Sequence, residues 1–274
     1  WYFAVIGLMA PFLAVFLDGR GFTPLEIGQV LAAVSATKVF GPALWAILSD
    51  KTGKQVPVIQ LGAVLSTFFF FFLFFSYSYW PITLLLVLFS LFWTAILPQM
   101  EVLTLSSIKR SPKIYARIRL WGSVGFTFFA IASGELIEVF SSEVYLPIGL
   151  FILFGLCYAS YRLKQSKGFI EKVDDSSSIF EKILSYKFLV FFFAGLMLQV
   201  SFGPFNGFFA LYLRDLSYPG YAVGSFIAIG ALLKNLGFNI QESIFSTFLK
   251  DGFVITNKST SLNLTLLFIN SYTS

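Results

Sequence analysis

A few ionisable residues stand inside apolar surroundings, where a charge is expensive, and they are the first candidates for chemistry. Glu101 lies in the apolar run that ends near Ile108, and Arg117 and Arg119 open the next one. Between them Lys109, Arg110 and Lys113, closed by Pro112, form the obvious loop. If the flanking runs are helices, a rise of ~1.5 Å per residue puts Glu101 roughly 10 Å and Arg119 about 8 Å in from their helix ends. An acid and a base at that depth are costly unless they face each other or a water-filled cavity. The plainer alternative is a loop-proximal pair whose stems reach back to the interface, and these residues alone leave both readings open. Lys38 is a sharper case, because its run extends from Pro24 to about Leu48. It sits roughly 21 Å from one end and roughly 15 Å from the other. A lysine stem reaches only about 6 Å, so an inward-facing lysine is expected. Such a set can hold an anion and pass a proton between a carboxylate and its cationic partners. It does not suit bond-making. No nucleophile–base constellation and no metal-ligand spacing occurs, and histidine is absent, so no catalytic residue, metal or cofactor is expected.

The elements that must position these groups are membrane helices. The 274 residues are 57% hydrophobic, 19% aromatic and 12% charged, with a mean hydropathy of +0.81. A soluble domain carries about twice that share of charge. Apolar runs of about 20 residues recur, each long enough to cross ~30 Å of hydrocarbon as a helix. Period-two alternation is absent, which excludes an outer-membrane barrel. The single cysteine, Cys157, can form no internal disulfide. A net charge of +5 could suggest nucleic acid. The cations lie in loops beside the apolar runs, however, where lipid head groups and topology account for them. No nucleic-acid partner is expected.

In order, the first span covers about 1–17 and the second starts at Pro24 behind a capping box, Thr23-Pro24-Leu25-Glu26. Ser49 to Lys54 reads as a polar turn. The third span, about 58–75, holds a phenylalanine run that reads as lipid-facing bulk. The fourth starts at Pro81 and carries Gln99 and Glu101 towards its end; the fifth covers about 114–139 and the sixth about 146–161. A polar loop over 162–187 divides the chain. The seventh span covers about 188–213, with a kink expected at Gly203-Pro204, and the eighth starts at Tyr221.

Lys and Arg fix the orientation. Lys51 and Lys54, the 109–119 cluster, and the 162–187 loop all lie on one side, against only Arg20 and Arg214 on the other. The basic side, and with it the amino terminus, is therefore expected to face the cytoplasm from a cell inner (plasma) membrane. Residues 16–28 are also echoed at 212–224: Phe16-Leu17-Asp18 by Tyr212-Leu213-Arg214, Phe22 by Tyr218, Ile27-Gly28 by Val223-Gly224. Six spans, a long loop and a restart form the layout of two parallel six-helix halves. The expected domains are a six-helix half at 1–161, a central loop at 162–187 and the start of a second half at 188–230.

Asp50-Lys51-Thr52-Gly53-Lys54 resembles the loop signature of the major facilitator superfamily, GxxxD[RK]xG[RK][RK], with Ala46 at the first Gly and Gln55 at the last base. The stretch from Tyr115 to Phe126, YARIRLWGSVGF, is more specific and is similar to the fifth-span entry of the lactose permease and phenylpropionate permease branch. The resemblance covers about residues 1–230. It implies an all-α membrane bundle and a secondary active transporter that moves a small organic solute with a proton by alternating access. By position, Arg119 and Glu101 become the substrate-binding and proton-coupling pair. Phe126 stands where the sugar permeases stack a Trp, and Arg117 and Asp18 fall in the candidate set, Asp18 as a further proton carrier. Asp50, Lys51, Gly53 and Lys54 become the cytoplasmic gate. Phe126 in place of Trp, with Lys38 as a second cation, favours an organic or aromatic acid; a sugar or nucleoside proton symporter is the alternative.

The tail over 231–274 breaks the pattern. Asn235, Asn239, Asn257, Asn263 and Asn270 crowd it, and Lys234, Glu242, Lys250, Asp251 and Lys258 interrupt any long apolar run. A shifted reading frame is one account of that change. The alternative of a different class is then an inactive membrane fragment, since the two-half layout would want four more spans.

Overall fold

The computed structural model describes residues 1–108, 112–164, 197 and 207–230. Among these, six helices are long and apolar enough to cross a membrane. α1 (Tyr2–Gly19) and α2 (Pro24–Thr52) are joined by a tight turn. There Glu26 N–H reaches the Thr23 hydroxyl at 3.4 Å and Thr23 N–H reaches the Glu26 carboxylate at 2.8 Å. This is the expected capping box, and Pro24 gives up no bond at the first helical position. α2 continues through Asp50, Lys51 and Thr52, so the Ser49–Lys54 segment is not the turn its polarity suggested. Gly53 alone ends the helix, at φ 64° in the left-handed region, and its N–H closes on the Ser49 carbonyl.

α3 (Gln55–Phe71) passes into a 3₁₀ turn at Phe72–Phe75. Its phenylalanine run is not uniformly lipid-facing. Phe68, Phe71, Phe72 and Phe75 are exposed, but Phe70 is buried between Phe89 and Tyr145. A helix turns ~100° per residue, so an unbroken run of rings must point some of them inward.

The fourth span is broken. α4 (Tyr79–Trp93) stops and α5 (Ile96–Ser107) restarts after Thr94 and Ala95. Pro98 explains this, since its ring would strike the carbonyl four residues back, that of Thr94. α6 (Pro112–Val139), a 3₁₀ turn at Ser142–Val144, and α7 (Tyr145–Tyr161) complete the set. α1 packs on α6 and α7, α3 lies between α4 and α7, and α2 leans on α4. Gly7 lets α1 approach so closely that a Cβ there would overlap the Phe126 carbonyl.

Beyond the first six spans, residues 207–215 and Gly220–Gly230 are helical. The echo between 16–28 and 212–224 holds in the backbone. Arg20 N–H bonds to Phe16, Gly21 to Asp18 and Phe22 to Leu17; Leu216 bonds to Tyr212, Ser217 to Arg214 and Tyr218 to Leu213. The same turn position is left-handed in both, Gly21 at φ 83° and Ser217 at φ 61°. Most of the expected seventh span, its Gly203-Pro204 kink, most of the 162–187 loop and the 231–274 tail lie outside the described residues.

Candidate functional site

Glu101 stands on α5, past the break at Thr94–Ala95. Gln99 and Glu101 both point into the bundle and are buried. α6 brings Arg119 to the same spot, and its Nη1 lies 2.8 Å from Glu101 Oε1. The side chains keep 23% and 11% of their exposure, so the pair is neither sealed nor at the surface. Tyr115, one helical turn before Arg119, closes the group. Arg119 Nη1 donates to its hydroxyl at 2.9 Å, and that hydroxyl donates to Glu101 Oε1 at 3.3 Å. The start of α1 supplies an aromatic wall, with the Phe3 ring 5.6 Å from the Arg119 guanidinium carbon. Beside it Tyr2 stacks flat on Trp93, ring centres 4.5 Å apart. A cation with a carboxylate, a phenol and a ring around it can hold an anion and release it.

The other expected site residues fall in different places. Phe126 lies two turns beyond Arg119 on α6 and is half-buried against the core. Arg117 is exposed, because two residues along a helix turn it ~200° away from Arg119. Lys38 sits midway along α2, half-buried, and among the described residues it forms no ion pair. Its neighbours on the helix face α4: Thr37 donates to Ser90 at 2.6 Å, and Gly41 lies against Thr94. Asp18 is exposed at the far end of α1, roughly 22 Å along the helix from Phe3, so the structure does not bring it to Glu101. In the gate segment Lys54 is exposed and Gly53 caps α2, while the side chains of Asp50 and Lys51 lie outside the described residues. Among the described residues no group of three His, Cys, Asp or Glu could hold a metal.

Tyr115 carried no expected role in the sequence. Its signal was available: a hydroxyl four residues before an intramembrane arginine lies on the same helix face. In the sequence Arg20 is only one of the few cations on its side. In the structure it ties three loops together. It forks onto Glu143 with bonds of 2.8 and 2.9 Å, and donates to the carbonyls of Leu73, at 2.9 Å, and Ser76. The rings of Phe16 and Tyr77 cover it at 4.5 and 4.7 Å. At this same end, α6 meets the helix at Gly220. A Cβ on Gly134 or Gly220 would overlap the other's carbonyl, and the Glu138 carboxylate accepts the Gly220 N–H.

These features define a multi-pass helical membrane protein built around an internal acid–base pair. The chain belongs to the MFS_1 like family, whose model matches residues 1–270, and so to the major facilitator superfamily. It is 25% identical over 249 residues to a probable 3-phenylpropionic acid transporter of Escherichia coli (strain K12), covering 89% of this chain and 65% of that protein. It is 30% identical over 135 residues to a maltose permease of Geobacillus stearothermophilus, covering 49% of this chain and 34% of the permease. Among solved structures it shares the fold of the nucleoside transporter NupG, with a TM-score of 0.69 at 18% identity, covering 88% of this chain and 65% of NupG. The chain thus spans about two thirds of the length of the first of these relatives and of NupG. The family and these relatives are transporters rather than enzymes.

Proposed function

We propose that this chain forms the substrate-binding core of a proton-coupled transporter for small organic anions, with an arylalkyl carboxylate as the class of choice. The observation that carries the reading is the Arg119–Glu101 pair, closed at 2.8 Å yet only partly shielded. A substrate carboxylate competes with Glu101 for the arginine, and a proton on Glu101 releases the arginine to it. Lys38 adds a second cation to the path and Phe126 an aromatic surface, and the similarity to a probable 3-phenylpropionic acid transporter supports this class. Lysine and arginine placement puts the Lys54 end in the cytoplasm of a plasma-membrane protein. On that assignment the Gly134–Gly220 approach closes the outer side, and the pair is reached from within. The gate role of Asp50, Lys51, Gly53 and Lys54 belongs to the same reading. The similarity to a maltose permease over about half the chain favours a sugar as the second choice.

The test is uptake of radiolabelled 3-phenylpropionate into vesicles carrying the full-length gene product under an imposed proton gradient. Saturable accumulation that Glu101→Gln lowers at least tenfold is expected. Accumulation of maltose but not of the acid would replace the substrate class, and undiminished accumulation by Glu101→Gln would remove Glu101 as the proton carrier.

A further inference from the structure

The Glu101–Arg119 contact is a closed triangle rather than a pair. Arg119 Nη1 lies 2.8 Å from Glu101 Oε1 and 2.9 Å from the Tyr115 hydroxyl, and that hydroxyl lies 3.3 Å from the same carboxylate oxygen. A phenol has one hydrogen to give and lone pairs to accept with, so it can serve both neighbours at once. Its bond to Glu101 is long for O–H···O, where about 2.7 Å is usual. The hydroxyl therefore has room to shorten onto the carboxylate. The two side chains also differ in stiffness. Arg119 swings on a long flexible stem, whereas the Tyr115 ring turns about only two torsions and stays put while the guanidinium moves.

We propose that Tyr115 is a positioning residue: its hydroxyl remains as the donor to Glu101 when Arg119 turns to an anionic substrate. Without it, Glu101 is left bare in the interval between losing Arg119 and taking up its proton, which is strongly unfavourable for a largely buried carboxylate. With it, the arginine exchanges one carboxylate for another and Glu101 keeps a bond throughout. The proposal rests on the transport reading above and names the group that makes the exchange affordable. It predicts that the hydroxyl matters for substrate affinity rather than for holding the helices together, since the ring alone fills the space.

The experiment compares the purified full-length protein with Tyr115→Phe by equilibrium binding of radiolabelled 3-phenylpropionate and by melting without ligand. Loss of one donor to a charged group corresponds to about tenfold weaker binding, with the ligand-free melting midpoint unchanged. Affinity within twofold of the parent would overturn the proposal. So would an affinity loss accompanied by a fall in the ligand-free midpoint, which marks a merely structural role. If the parent does not bind the acid, the substrate class fails separately. Tyr115 is then judged in an Arg119→Met background, which takes the guanidinium away from Glu101: there Tyr115→Phe lowers the ligand-free midpoint although it leaves the parent's unchanged, and no fall in that background overturns the assignment.

Discussion

Two arginine–glutamate pairs among the described residues, Arg20–Glu143 and Arg119–Glu101, have the same N···O distance of 2.8 Å and little else in common. Arg20 is saturated. Its side chain is 3% exposed, it forks onto Glu143, it donates to two backbone carbonyls, and rings cover it. Such a guanidinium has no better partner to move to. Arg119 keeps 23% exposure, and one nitrogen, Nη1, serves both the carboxylate and the phenol. Ion-pair distance therefore does not distinguish a fastener from a working site; the shielding of the cation does. One pair fastens the ends of α1 and α3 to the turn before α7. The other is arranged to change partners.

The comparison breaks first at Arg20. Arg20→Gln removes the fork and leaves the Leu73 and Ser76 carbonyls without their cation. It should cost about 2–4 kcal/mol of stability, read as a lower melting midpoint in detergent. A midpoint equal to the parent's would show that the junction is ornamental and that its saturation means nothing. Glu143→Gln sharpens the point with a smaller effect. The Glu143 side chain is 46% exposed, so water can replace much of what it gives. A loss under about 1 kcal/mol is expected, with Arg20 still held by its carbonyls and rings.

The amino-acid sequence showed the spans, the α2 capping box and the backbone repeat at 212–224, because apolar runs, caps and turns are written in neighbouring residues. It offered Glu101 and Arg119 as partners, since intramembrane charges are costly alone, and left open the plainer reading of a loop-proximal pair. What it left out depends on geometry across the chain. Arg20 and Glu143 are 123 positions apart, and nothing local to either names the other. Pro98 stood in the stretch with Glu101, but its consequence is a clash with a carbonyl one turn earlier, which interrupts the helix at Thr94–Ala95. Tyr115 is legible only in part: its spacing puts the hydroxyl on the face of Arg119, but a tyrosine at a helix start near an interface is common, and the position of Glu101 is what gives its hydroxyl work. Asp18 shows the converse, a carboxylate in the candidate set that the length of α1 keeps away from the pair.

Arg119→Gln tests the central claim most directly, measured on one preparation for both melting and 3-phenylpropionate uptake. The account predicts uptake reduced at least tenfold while the ligand-free midpoint falls by less than in Arg20→Gln. Uptake retained in Arg119→Gln, or a stability loss as large as that of Arg20→Gln, would contradict it.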